Sequence, residues 1–234
     1  MDVLEAIRTR RSIRSFKPDP VPRKILEELL DTCRWAPSSL NTQPWQFVIL
    51  GGKALEEVKA LNKMMVLGEL GAPGSTQKQA NPDLADYGPM SEPYLRRWLA
   101  SRFHVDSHLD LLEWPEAPEA TKVKVETQVK NACFGHAPNA ILICAEEALG
   151  SKAIFGAGLM VQTIALAALA YGLGTGIAIR PVRFPQMLRG QLGIPESMLI
   201  LVSMAIGYPD FDDPVNNTPR HREPLDVLAH WHGF

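Results

Sequence analysis

The chain has little of what several protein classes depend on. Its 234 residues hold three cysteines, Cys33, Cys133 and Cys144, an odd number without C-x-x-C spacing. That fits no disulfide framework, and leaves reduced thiols in a core as the expectation. Neither sign of charge is in excess, with 24 Lys and Arg against 26 Asp and Glu. A general surface for nucleic acid or an anionic membrane is therefore not expected. There is no H-E-x-x-H motif, and no Ser-His-Asp arrangement is readable. Gly172-Leu173-Gly174-Thr175-Gly176 lacks both the spacing and the βαβ context of a dinucleotide fingerprint, and reads as a helix cap followed by a turn. The first helical pattern carries Glu5 and Arg8 where a secretory leader would be apolar, so a cytoplasmic protein is expected and the glycosylation pattern Asn216-Asn217-Thr218 is read as accidental.

What is present is a layered α and β pattern. Val3, Leu4, Ala6 and Ile7 suggest a first amphipathic helix with Asp2 placed to cap it. Ile25, Leu26, Leu29, Leu30 and Cys33 recur at helical spacing after Pro22, and Pro37 ends that pattern. A third helix is expected over Ala54–Asn62, with others over Tyr94–His104 and Thr121–Cys133. Trp45–Leu50, Ala140–Ala145 and Met198–Ile206 read as buried strands, and Thr175–Ile179 as a shorter fourth. Residues Ala153 to Ile179 contain no charge. A membrane span needs about 20 apolar residues. Gln162, Thr163 and the many Gly and Ala residues instead make Ala153–Tyr171 the expected central helix of a large core.

Two clusters stand out chemically. Arg10-Arg11-Ser12-Ile13-Arg14 follows the first helix, and an extended exit would put Arg10, Ser12 and Arg14 on one face and Arg11 on the other. Two guanidinium forks around a hydroxyl suit a phosphate monoester. Arg220 and Arg222 are likewise two residues apart. The second cluster, Pro37-Ser38-Ser39-Leu40-Asn41-Thr42-Gln43-Pro44-Trp45, reads as a fixed loop that holds hydroxyl and amide groups at a strand entrance.

In order, these motifs resemble the FMN-dependent nitroreductase family. Asn131 and Phe134 before Ala137-Pro138, the Gly172–Thr175 turn, Arg220-His221-Arg222-Glu223-Pro224-Leu225 and the closing Trp231-His232-Gly233-Phe234 extend the resemblance. It implies one α+β domain over residues 1–234, with a central, mainly antiparallel sheet flanked by helices, in an intertwined homodimer. A variable excursion is expected at about 63–119. The resemblance further implies FMN held by Arg10, Arg11, Ser12, Arg14, Asn131, Arg220 and Arg222. Backbone groups of Ile177, Ala178 and Ile179 would face the flavin ring. Pro37, Ser38, Ser39, Asn41 and Gln43 would reach the flavin of the neighbouring subunit. NADH or NADPH would reduce the flavin, and a nitroaromatic or quinone-like acceptor would reoxidise it. No catalytic side chain and no metal is implied, because the cofactor carries the chemistry. Other reactions on the same scaffold are reductive dehalogenation, enoate reduction and flavin modification. A non-catalytic flavin carrier is the remaining alternative. His104 and His108, with Arg96, Arg97 and Arg102, read as a polar helix surface, or as cations that select a carboxylated aromatic substrate.

Overall fold

A computed structural model describes residues 2–71 and 126–234. Its frame is a four-stranded antiparallel sheet, ordered β1-β2-β4-β3. The strands are β1 (Trp45–Gly51), β2 (Asn139–Glu146), β3 (Gly174–Ala178) and β4 (Met198–Gly207). Each expected strand is present, within one residue at either end. Every strand pair is antiparallel, a direction that apolar runs alone leave open.

The central strand explains its own composition. Asn139 to Ala145 are all buried. Ile141, Ile143 and Ala145 join a core with α2 (Arg23–Cys33) and α4 (Ser151–Ala170). Ala140, Leu142 and Cys144, on the opposite face, pack with α3 (Gly52–Gly71) and α5 (Pro185–Leu192). Successive side chains alternate faces, so a strand covered on both sides must be apolar throughout. Truncating a fully buried Ile143 or Leu29 to Ala costs about 2–5 kcal/mol. One bulge lies where Ile143 pairs with Val202 but Cys144 pairs with Ile200, which leaves Leu201 as the extra residue.

Helix α4 is long and apolar enough to cross a membrane, with a mean hydropathy of 2.0. Yet Ala153, Gly156, Ala157, Met160, Val161, Ile164, Ala165 and Ala168 form a stripe buried against α2 and the sheet. Small residues permit that approach: a Cβ on Gly156 would lie 3.1 Å from Pro44. The helix closes as expected on Gly172, at φ +67°, with the Leu173 N–H donating to the Ala168 carbonyl at 3.0 Å.

Helix α1 (Val3–Thr9) starts at Asp2, but the Asp2 side chain makes no capping bond; only its carbonyl accepts, from Ala6 N–H at 2.9 Å. The third helix runs past Asn62 to Gly71, so the first residues of the expected excursion continue a helix. Residues 126–132 are helical, in line with the end of the expected Thr121–Cys133 helix. The expectations for 72–119, including the Tyr94–His104 helix, His104, His108 and the neighbouring arginines, lie outside the described residues.

Candidate active site: two adjoining cavities at the edge of the sheet

Strand β3 is a sheet edge, and the segment after α1 lies against it. Ser12 bridges Thr175 in parallel, Ile13 N–H donates to the Thr175 carbonyl at 2.9 Å, and Lys17 N–H donates to the Tyr208 carbonyl at 2.9 Å. Glycine is required at the contact, because a Cβ on Gly176 would sit 2.5 Å from the Ile13 carbonyl oxygen. Ile13 is buried at 4 % exposure, which leaves Ser12 and Arg14 facing outward together.

The C-terminal tail crosses the same segment. Arg10, Arg11, Ser12 and Arg14, with Val215, Thr218, Pro219, Arg220 and Arg222, line a polar cavity of about 170 Å³. Five guanidinium groups thus meet from the two ends of the chain, and among the described residues no carboxylate lines the cavity. The charges act on one another: partial desolvation, then Arg11, Arg222 and Arg10, push the Arg220 pKa below its usual value. Such a cluster is relieved by an anion, and a guanidinium fork matches phosphate oxygens.

Arg11 departs from the strict alternation expected of an extended segment. Its Nη2 donates to the Thr218 carbonyl at 2.5 Å, which turns the side chain towards the tail and into the arginine cavity. Tertiary hydrogen bonding overrides local geometry here. Arg220 is also committed: it donates to the carbonyls of Arg8 at 3.1 Å, Thr9 at 3.2 Å and Arg10, closing the C-terminal end of α1. A cation suits that negative helix end. Arg222 donates to the carbonyl of His221 at 2.7 Å, a local bond that leaves other N–H groups of its fork to the cavity.

Beside this cavity is a larger one of about 590 Å³, within the range of ligand sites. Ser12, Arg14, Val215 and Thr218 line both. Asn131, on the helical turns of residues 126–132, and Ile177, Ala178 and Ile179 at the end of β3 border the larger cavity. Ser203 fixes this edge by donating to the Ala178 carbonyl at 2.7 Å.

Pro37, Ser38, Ser39, Asn41 and Gln43 border neither cavity. Their loop lies beside α4, where Pro37, Ser38 and Ser39 face Ser151, Lys152, Phe155 and Leu159. Leu40, Asn41 and Gln43 all have positive φ, at 53°, 54° and 45°, an unfavourable conformation for residues with a Cβ. Ser38 holds the loop by accepting from Gln43 N–H at 2.9 Å.

Over residues 7–208 the sequence matches the description of the Nitroreductase family. The chain belongs to that family. Among individual nitroreductases, it is 28% identical to the 4-nitrobenzoate reductase of Pseudomonas putida, covering 97% of this chain and 94% of that protein. It is 29% identical to the chloronitrobenzene nitroreductase of Comamonas testosteroni, covering 96% and 94%. The crystal structure of the FMN and NADPH-dependent nitroreductase NfnB from sphigopyxis sp. strain HMH superposes with a TM-score of 0.81 at 24% identity over 100% of both chains, which shows a shared fold.

Several residues of this nitroreductase site escape a reading of the sequence. Lys130, Thr127 and Gly135 line the larger cavity without belonging to any motif. Asn62 and Asn216 are buried at 0 % and 1 % exposure and support the walls. Asn62 donates to the carbonyls of Ala132 and Pro181, both at 3.0 Å, and ties the 126–132 helix to the turn after β3. An asparagine within an apolar helical face, among Leu55, Val58 and Val66, was the available signal for it. The buried Cys33 thiol is pushed up to about 11 by desolvation, which keeps it protonated at neutral pH. Among the described residues, no three His, Cys, Asp or Glu side chains come together to hold a metal ion.

Proposed function

We propose that the protein is an FMN-dependent, NAD(P)H-oxidising nitroreductase that reduces nitroaromatic or quinone-like acceptors. The observation that carries this reading is the arginine cavity opening onto a roomier one of mixed character, a shape suited to a phosphate joined to a planar ring. The names of the Pseudomonas putida and Comamonas testosteroni relatives support the nitroaromatic substrate class. When bound, FMN would supply ping-pong two-electron transfer between NADH or NADPH and the acceptor.

The chain's own residues have the tasks of grip and electrostatic placement. Arg10, Arg11, Arg14 and Arg222, with the Ser12 hydroxyl, hold the phosphate, while Arg220 supports them through the end of α1. Arg14 and Ser12 reach both cavities and so place positive charge and a hydroxyl between phosphate and ring. Asn131 and the main chain of Ile177, Ala178 and Ile179 offer polar contacts to the ring edge, and preorganised donors stabilise negative charge that develops there.

The working form is a homodimer with composite sites, in which a single domain over residues 1–234 contributes both walls. The strained loop with Pro37, Ser38, Ser39, Asn41 and Gln43 is folded but faces away from its own cavities, as a loop that completes a neighbour's site would be. Leu40, Trp35, Phe155, Trp231 and Phe234 are 87 %, 83 %, 66 %, 66 % and 101 % exposed in the single chain, large apolar side chains that a second copy would cover. The location is cytoplasmic, with α4 as a core and interface helix.

The deciding experiment is the visible spectrum of purified protein, recorded anaerobically before and after NADPH or NADH and again after a nitroarene. Yellow protein that bleaches with a nicotinamide and regains colour with the nitroarene is the expected result. Lack of flavin uptake overturns the cofactor reading, and flavin that never bleaches moves the protein to the non-catalytic class. Turnover of halogenated or enoate acceptors in preference to nitroarenes selects the other reactions of this scaffold.

A further inference from the structure

We infer that Asn216 is a positioning residue that holds the Arg14–Ser15 main chain between the two cavities and thereby sets the preference for FMN over unphosphorylated riboflavin. The inference rests on the FMN reading above. It starts from a side chain with every hydrogen-bonding capacity in use. Asn216 Oδ1 accepts from Arg14 N–H at 2.8 Å and from Ser15 N–H at 3.3 Å. Its Nδ2 donates to the carbonyls of Ser15 and Asp210, each at 2.7 Å. An asparagine amide has two acceptor positions and two donor hydrogens, so the match is complete, and the two N–H and two C=O partners fix which way the amide points.

Asn216 is itself held in place. It sits in a short turn, Pro214–Asn217, where the Asp213 carboxylate accepts from Val215 N–H at 2.9 Å. Thr218 Oγ1 then donates to the Val215 carbonyl at 3.0 Å, and the Thr218 carbonyl receives Arg11. Val215 and Thr218, on either side of Asn216, line both cavities. The residue therefore stands at the partition, bonded across more than 200 positions of sequence to the segment that carries Ser12 and Arg14.

The consequence for ligand choice follows from what each cavity contacts. Arg14 is exposed, so its main chain, held by Asn216, governs where its charge sits. A slack Arg14–Ser15 segment displaces charge from the phosphate end, where charge-assisted bonds are strong and sensitive to geometry. Ring contacts along β3 depend on Ser203 and the sheet ladder, which Asn216 does not touch. Alanine at this position would remove the acceptor for the Arg14 and Ser15 N–H groups and the side-chain donor to the Asp210 carbonyl, while the Ser15 carbonyl would keep only the Asp210 N–H at 3.2 Å. Aspartate would keep the size but set carboxylate oxygen against the carbonyls of Ser15 and Asp210. The same bonds make the Asn216-Asn217-Thr218 pattern unreadable for glycosylation in the folded chain, since the amide is buried and fully used.

The test is titration of the full-length apoprotein with FMN and, separately, with riboflavin, followed by flavin fluorescence, alongside apoprotein melting temperature. Wild type, Asn216→Ala, Asn216→Asp and the exposed neighbour Asn217→Ala are compared. Both Asn216 variants are expected to lose about tenfold or more in FMN affinity, roughly the effect of one well-placed hydrogen bond to a charged group, and less than about threefold in riboflavin affinity. Asn217→Ala should retain the wild-type preference. An unchanged FMN-to-riboflavin ratio in both Asn216 variants overturns the inference, whether affinities fall in parallel or not at all. If Asn216→Ala does not fold, the isosteric Asn216→Asp decides; if neither folds, Asn216 is a general folding determinant and the inference fails. Wild-type protein that binds neither flavin refutes the cofactor reading itself, a separate result from an unchanged ratio.

Discussion

The arginine cavity and the larger cavity beside it share Ser12, Arg14, Val215 and Thr218, yet they are made by different means. The first is made of long charged side chains from the two ends of the chain, with little regular structure beneath them. The second is made of the end of β3, a helical turn and buried amides that hold backbone in place. A charged cluster recognises a compact dianion through number and direction of donors. A sheet edge recognises a flat ring through shape and fixed main-chain dipoles. Under the proposed function, combining the two would separate affinity, concentrated at the phosphate, from chemistry, concentrated at the ring.

Substitutions should pull the two cavities apart. The largest effect is expected at the phosphate end. Arg10→Ala or Arg222→Ala should raise the FMN Kd roughly ten- to hundredfold, from loss of a charge-assisted bond of about 1.5–3 kcal/mol. The melting temperature of the apoprotein should stay close to wild type. Released flavin fluorescence after dilution measures the first quantity, and unchanged affinity in both variants would remove these residues from the phosphate site.

Gly176→Ala should strike both cavities at once. Its Cβ would meet the Ile13 carbonyl at 2.5 Å, so the 10–14 segment must shift away from β3. Overpacking of this kind costs about 1–3 kcal/mol. Chemical denaturation of the apoprotein should reveal it, with FMN and riboflavin binding weakened together. That parallel loss is the opposite of the pattern expected for Asn216.

Asn62→Ala sharpens the comparison from the other side. It removes the donor to the buried Ala132 and Pro181 carbonyls, at an expected cost of about 1–3 kcal/mol in stability. Because Pro181 lines the larger cavity and Ala132 follows Asn131, which does too, acceptor KM should rise while FMN affinity, set mainly at the arginine cavity, changes little. Steady-state kinetics at saturating FMN would separate the two.

The smallest effect is a pH slope. Partial desolvation of an otherwise exposed ring, then Lys59 and Lys130, lower the pKa of His136 from its usual 6.5. The unfolded chain then binds the proton more readily than the folded one. Stability from the neutral ring is full above pH 6.5 and declines as pH falls towards and through the lower folded value. His136→Asn should flatten a shallow decline in melting temperature in that window without moving flavin affinity.

Much of this organisation is legible from residue order. Each strand was visible as an apolar run, and the buried face of α4 followed from the absence of charge combined with abundant Gly and Ala. The clusters around Arg10 and Arg222 announced an anion site by residue type. Arg11 and Asn62 were not legible. Arg11 turns because a carbonyl 207 positions away offers a bond, and Asn62 matters because its amide reaches two carbonyls 70 and 119 positions away. Asp2 shows the reverse, a capping residue in place whose side chain does not cap.

The elements, the family and the chemical character of the two clusters are written in residue order, because local spacing and residue type decide helix, strand and charge. Tertiary structure alone decided that the chain's two ends meet over one cavity and that the strained Pro37–Gln43 loop faces away from it. It also decided that a buried asparagine in an unremarkable tail holds the partition. Those facts depend on which hydrogen-bond donors and acceptors are brought together by a sheet whose strands are far apart in sequence, and on the need of each buried polar group to find a partner.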